Sequence, residues 1–141
     1  MDDKKTYAVR YFSKTGNTKK LADTIAKTVG CNAYTCQERV EKETDVLFLG
    51  ASVYAAGIDE EVKQFIQSLD AKKVKCVAVF STSALAQRAL PAVTELLHQK
   101  GIKVSPQSFY CRGKFMFMHK GRPNESDLQA VSEFAKKIMK C

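Results

Sequence analysis

Residues 11–22 read Tyr11-Phe12-Ser13-Lys14-Thr15-Gly16-Asn17-Thr18-Lys19-Lys20-Leu21-Ala22, and the fold turns on them. The strand-like run Thr6 to Phe12 passes straight into a hydroxyl-rich turn, and apolar residues at helical spacing begin at once behind it. At a helix start the first backbone amides have no intrahelical acceptor, and the helix dipole adds partial positive charge. A phosphate group satisfies both. Within the turn, the hydroxyls of Ser13, Thr15 and Thr18 add donors beside Lys14. Gly16 lets the backbone approach an anion closely, and Asn17 is suited to cap the helix or to donate. Plain capping of a strand-to-helix turn needs one Ser, Thr or Asn; three hydroxyls with Gly and Asn exceed that need. The spacing is neither that of the Walker nucleotide loop nor the Gly-x-Gly-x-x-Gly dinucleotide fingerprint.

Outward from this turn, short β-branched or aromatic runs alternate with longer stretches of helical periodicity, the pattern of an α/β protein. Strands are expected at Thr6 to Phe12, Asn32 to Cys36, Asp45 to Gly50, Lys75 to Phe80 and Lys103 to Tyr110. Their Val, Phe and Leu content suits a sheet covered on both faces. Helices are expected over Asn17 to Val29, with Leu21, Ile25 and Val29 inward, and over Asp59 to Leu69, with Val62, Phe65, Ile66 and Leu69 inward. Two more span Pro91 to Lys100 and Ser126 to Lys140, the last turning Leu128, Val131, Phe134, Ala135 and Ile138 to the core. Gly30 and Gly101 stand where helix C-termini favour a left-handed residue, and Gly50 closes a strand. Pro91 suits the first position of its helix, and Ser126-Asp127-Leu128-Gln129 has capping-box spacing. Pro106 has no amide to donate, which places the fifth strand at a sheet edge. Only Gln37 to Thr44 join the second strand to the third, room for about two helical turns.

The chain has 141 residues, 45% of them apolar and 27% charged, which suits a single domain over residues 1–141. Its longest apolar runs, such as Val77 to Phe80, fall far short of the roughly 18 residues needed to cross a bilayer, so no transmembrane segment is expected. The opening Met-Asp-Asp-Lys-Lys-Thr lacks the marks of a secretory signal, and a cytoplasmic location is expected. Cys31, Cys36, Cys76, Cys111 and Cys141 form an odd set without a Cys-x-x-Cys pair, so reduced structural thiols are expected and no metal site. His98 and His119 are isolated and read as a helix-face and a loop residue. The net charge of +8 attracts anionic partners, whether nucleic acid, acidic protein or phosphorylated ligand, without selecting among them. No nucleic-acid motif accompanies the scattered lysines, and nucleic-acid binding is not expected. A monomer is the default.

The segment Tyr11 to Ala22 resembles the FMN-phosphate loop of the flavodoxins, whose pattern is Ser/Thr-x-Thr-Gly-x-Thr between the first strand and the first helix. The element order is similar to that of short-chain flavodoxins over nearly the whole chain. This resemblance implies a flavodoxin-like three-layer α/β sandwich whose five-stranded parallel sheet has the order 2-1-3-4-5. That order makes the fifth strand an edge, in agreement with Pro106. The ligand of such a sheet sits at the carboxyl ends of the strands, where the winding reverses between strands one and three. The implied cofactor is FMN, its phosphate held by Ser13, Lys14, Thr15, Gly16, Asn17 and Thr18. Ala51, Ser52, Val53, Tyr54, Ala55 and Gly57 would line the flavin ring, with Tyr54 either stacking on it or packing at a loop tip. Ser81, Thr82 and Ser83 would form a second wall or cap the following turn.

Two features depart from the family. Flavodoxins are typically acidic, with aromatic and acidic residues after the fourth strand, whereas Ser81 to Ala86 contains neither and the chain is basic. An anionic reduced flavin is then less destabilised, and a less negative potential is expected. The segment Gly50 to Tyr54 also resembles, loosely, the flavodoxin-like protoporphyrinogen oxidases. In Cys111 to Arg122, Phe115, Met116, Phe117 and Met118 are bracketed by cations without a carboxylate. Such a segment suits an apolar acidic substrate, a negatively charged redox partner or a membrane surface, or simply folds Phe115 and Phe117 onto the core. The resemblance thus implies an FMN-binding electron-transfer protein serving a redox partner protein, without catalytic side chains of its own. Two alternatives stand beside it: an FMN-dependent oxidoreductase acting on a quinone or porphyrin-like substrate, and a flavin-free binding module on the same fold. Unaided turnover of a small molecule separates the enzyme from the carrier.

Overall fold

Val9, Tyr11, Phe48 and Phe80 belong to one apolar cluster and Leu47, Leu49, Val77 and Val79 to another, so the period of two along these strands demands a cover on each face. The computed structural model describes residues 5–12, 16–54, 57–58, 60–82, 89–111 and 124–140, with the backbone alone at residues 17, 52–54, 57–58, 82, 89–90 and 110–111. The strands are β1 (Tyr7–Tyr11), β2 (Ala33–Thr35), β3 (Val46–Tyr54), β4 (Gly57–Ile58), β5 (Cys76–Thr82), β6 (Lys103–Val104) and β7 (Phe109–Cys111). The helices are α1 (Asn17–Val29), α2 (Glu60–Ser68), α3 (Ala89–Gln99) and α4 (Glu125–Met139). The sheet runs β2-β1-β3-β5, and β6 and β7 then follow one another along the far edge of β5. By position it is the five-stranded parallel sheet in the order 2-1-3-4-5.

Leu21, Ala22, Ile25 and Ala26 of α1 and Val131, Phe134, Ala135 and Ile138 of α4 are buried against one face. Phe134 meets Phe48 edge-on, with ring centroids 6.1 Å apart. Val62, Phe65 and Ile66 of α2, with Leu69 just beyond it, join Val93 and Leu97 of α3 over the other face. The inward residues expected of α1 and α4 follow this pattern, with Val29 and Leu128 only partly buried at the margins. Gly30 and Gly101 both take positive φ, 85° and 76°, where their helices end.

Four details differ from what the sequence leads one to expect. Strand β3 continues four residues past Gly50, because β5 pairs with it through Ser52↔Thr82 and β4 pairs antiparallel with its last two residues. The fifth strand is broken in two: after the Ser105 amide donates to Val77 the ladder lapses at Pro106 and resumes at Phe109. Helix α3 begins two residues before Pro91, which falls in the first turn where amides have no intrahelical acceptor. The capping box of α4 is formed by Asn124 and Asp127, not by Ser126 and Gln129. Asn124 is extended there, its side chain accepts from the Asp127 amide at 3.0 Å, and the Asp127 carboxylate accepts from the Asn124 amide at 2.9 Å.

The strap from Gln37 to Thr44, long enough for about two helical turns, forms no helix. Arg10 of β1 clamps it instead. Its Nε donates to the Glu38 carbonyl at 2.8 Å, and its guanidinium lies 5.0 Å from the centre of the Tyr34 ring. Cys36 and Val40 plug the apolar face beneath. At the strap's end the Thr44 amide donates to the Lys73 carbonyl, and the Lys75 amide donates back to Thr44.

Asp45 ties the starts of β1 and β3. Its carboxylate accepts from the Thr6 amide at 2.8 Å and lies 3.3 Å from the Lys75 ammonium, and both hold its pKa below the ordinary value, the amide most. A lowered native pKa lends stability that is complete above the unfolded value near 4 and is lost as pH falls through the native one. In thermal unfolding, Asp45→Asn should therefore melt below the wild type at neutral pH and converge with it in acid. A gap that stays constant with pH would refute this role.

Candidate functional site

The carboxyl ends of β1, β3 and β5 meet the N-terminus of α1 at one edge of the sheet. Beyond the end of β1 the Phe12 amide donates to the Gly50 carbonyl at 3.1 Å, and the Cys36 amide donates to the Tyr11 carbonyl at 2.9 Å. The strand end is thus held from both sides. Gly16 then caps α1 with φ 87° and ψ −4°, a left-handed conformation that a Cβ disfavours. The first helical bond runs from the Lys20 amide to the Gly16 carbonyl. Gly16 and not Asn17 therefore occupies the cap, because the turn needs the left-handed residue; Asn17 opens the helix. The amides of residues 17–19 have no acceptor within the helix, and no carboxylate stands in its first turn. Lys19 there is held by Asp23, one turn on, at 2.7 Å, a hydrogen bond that raises the lysine pKa.

Thr18 is fully buried beneath the turn. A Cβ placed on Gly50 would come 2.9 Å from the Thr18 methyl Cγ2 and 2.6 Å from the tip of the Phe80 ring. The helix start, β3 and β5 therefore interlock at a place where only glycine fits. One step further along both strands, the buried Ala51 and Ser81 stand opposite one another in register, followed by Ser52 and Thr82. The backbones of Val53, Tyr54 and Gly57 continue this edge in the β3–β4 hairpin. Ser13, Lys14, Thr15, Ala55 and Ser83 lie outside the described residues, as does the basic and apolar segment 112–122.

A hollow of about 290 Å³ opens beside Gly16, lined by Tyr11, Phe12, Lys19, Thr35, Gln37 and Glu61. Tyr11, Phe12 and Lys19 belong to the quoted segment Tyr11 to Ala22 without a role of their own there, and Thr35, Gln37 and Glu61 are not singled out by the sequence. Tyr11, Phe12, Thr35 and Gln37 lie at or just past the carboxyl ends of β1 and β2, so the rule that ligands gather at such ends was the available signal. Glu61 carries no such mark. A larger hollow of about 460 Å³ lies under the strap, toward the amino ends of the strands, lined by Thr6, Tyr7, Arg10, Tyr34 and the residues of the strap. There Arg10 is committed to the backbone carbonyls of Glu38 and Val9. Burial lowers its pKa, and the nearby Glu38 opposes that shift.

A three-layer α/β/α sandwich with a left-handed glycine opening α1 at the winding reversal defines the class of the molecule. The model of the flavodoxin domain family matches residues 8–118, and the chain belongs to that family. An uncharacterized protein of Methanocaldococcus jannaschii is 25% identical over 138 residues, spanning 88% of this chain and 91% of its own. Among solved structures, a flavodoxin from the domain Archaea is similar with a TM-score of 0.76 at 19% identity, over 95% of this chain and 96% of that one. Oxidised flavodoxin 1 from Bacillus cereus follows with 0.73 at 19% identity, over 95% and 97%. At such identities the likeness is one of fold.

Gly16→Ala tests the turn. Holding an L-residue in the left-handed region should cost about 1–2 kcal/mol in chemical denaturation. An unchanged midpoint would mean that the turn does not require the positive φ.

Proposed function

We propose that the chain binds FMN at the carboxyl edge of its sheet and works as a single-domain electron carrier of flavodoxin type. The observation that carries this reading is the left-handed Gly16 between β1 and α1, which aims a helix N-terminus without a first-turn carboxylate at the point where the sheet's winding reverses. Those features fit a phosphate monoester. Ser13, Lys14, Thr15, Gly16, Asn17 and Thr18 would hold it through amides, hydroxyls and one ammonium. Ala51 to Ala55 and Gly57 would flank the flavin ring on one side, and Ser81, Thr82 and Ser83 on the other.

When bound, the flavin supplies the one- or two-electron chemistry. The chain's own task is to bind it, orient it and shield it. The net charge of +8 favours an acidic redox partner protein, and the segments that follow the site strands carry Lys14, Arg88, Arg112, Lys114, Lys120 and Arg122 against Asp59 and, at the start of α2, Glu60 and Glu61. The proposed role therefore inverts the usual acidic carrier.

Protein supplemented with FMN and then desalted should keep the yellow absorption bands, and Thr15→Glu should lose them by setting a carboxylate among the phosphate donors. Colour lost from the wild type on desalting, or kept in Thr15→Glu, would contradict the assignment. The bound flavin should also have a less negative potential than in acidic flavodoxins. A unit charge about 10 Å from the ring in a water-like dielectric contributes about 0.4 kcal/mol, which is about 20 mV for a one-electron couple. Redox titration should show the couple moving negative as salt screens these cations; a strongly negative, salt-independent potential would exclude the effect.

A further inference from the structure

We propose that Gly50 and Phe80 are positioning residues for the phosphate end of the site, acting through the side-chain rotamer of Thr18. The inference rests on the FMN reading and extends it to residues whose side chains have no polar atom to offer a ligand. Threonine in a helix divides between two χ1 rotamers, because its hydroxyl can bond a carbonyl in the preceding turn. At Thr18 that choice is made from outside the helix. The space above Gly50 that a Cβ would fill is occupied by the Thr18 methyl and by the tip of the Phe80 ring, with approaches of 2.9 Å and 2.6 Å to that Cβ position.

With the methyl seated there, the hydroxyl, on another bond of the same Cβ, is turned away from the Gly50 contact. The alternative rotamer would withdraw the methyl from the sheet in a side chain that has no solvent exposure. Phe80 is itself fully buried and immediately precedes Ser81, which stands beside Ala51 in the proposed ring wall. One apolar contact therefore sets the phosphate end and the ring end of the site relative to each other. Its partners come from three elements, α1, β3 and β5, that are far apart in sequence.

Thr18→Ser separates positioning from donation, because it keeps the hydroxyl and removes only the methyl that selects the rotamer. Affinities of the intact protein for FMN and for riboflavin, which lacks the phosphate, are measured by fluorescence titration, with thermal unfolding run alongside. Thr18→Ser is expected to weaken FMN about 3- to 10-fold, a tenfold loss being about 1.4 kcal/mol, while riboflavin stays within about twofold. Phe80→Leu, which withdraws the ring tip, is expected to give the same phosphate-selective loss. The phosphorus resonance of bound FMN should shift in both variants. Wild-type FMN affinity in Thr18→Ser overturns the inference, and so does an equal loss for both ligands, which would signal general loosening. A wild-type protein that binds neither ligand overturns the flavin reading and this inference with it; failure of the variants alone leaves the flavin reading standing.

Discussion

The molecule depends on one constraint, the common direction of its long strands. Because β1, β3 and β5 run parallel, each chain segment leaves them at the same edge of the sheet, and α1 must begin there. A helix that begins at that edge presents amides without an acceptor inside the helix and positive dipole charge, whereas the opposite edge receives helix C-termini. The sheet thus acquires an electrostatic polarity from connectivity before any charged side chain is counted. Gly16 brings the start of α1 to that edge. Its positive φ lets the chain turn from strand to helix within a few residues of the winding reversal.

Close approach is the second requirement, and it is met by the missing side chain at Gly50. Phe48, two residues earlier on the same face, fills its space and meets Phe134 of α4. At Gly50 the same face must instead admit the start of α1 and the ring of Phe80. The Phe12 amide bonded to the Gly50 carbonyl holds β1 in register across this contact.

The course of the chain was legible where a single physical signal dominated. Apolar spacing placed α1 at its observed limits, Asn17 and Val29, because the amphipathic stripe and Gly30 agree. Pro106 located the sheet edge, since a missing amide is a local and absolute fact. Signals that depend on partners misled. Gly50 looked like a strand end because glycine weakens an isolated strand; β5 and β4 pair past it. Ser126 and Gln129 had capping-box spacing, yet Asn124 and Asp127 present the same spacing two residues earlier with a side chain that closes both bonds. The strap was the hardest segment to read, as it holds together through Arg10 and Tyr34, a contact between strands that no local period encodes. At the site, the turn was visible in its hydroxyls and glycine. The burial of Thr18 was not, because it arises from Gly50 and Phe80 across two other elements.

The two hollows show why volume alone does not mark function in such a sheet. The larger lies at the amino ends of the strands, near the C-terminus of α1, where the helix dipole is negative. Its half-buried cation, Arg10, spends its Nε and one terminal nitrogen on backbone carbonyls and stacks on Tyr34, so its charge secures the strap. The smaller lies beside Gly16, where the dipole is positive and the first turn of α1 has no carboxylate of its own, the Glu61 carboxylate of α2 standing across the opening. An anion brought to this surface meets opposing dipole signs at the two openings. Charge from Lys19 does not alter that balance, because Asp23 pairs with it one turn along the same helix. The difference between the two openings therefore lies in backbone polarity, which a change of surface lysines would leave in place.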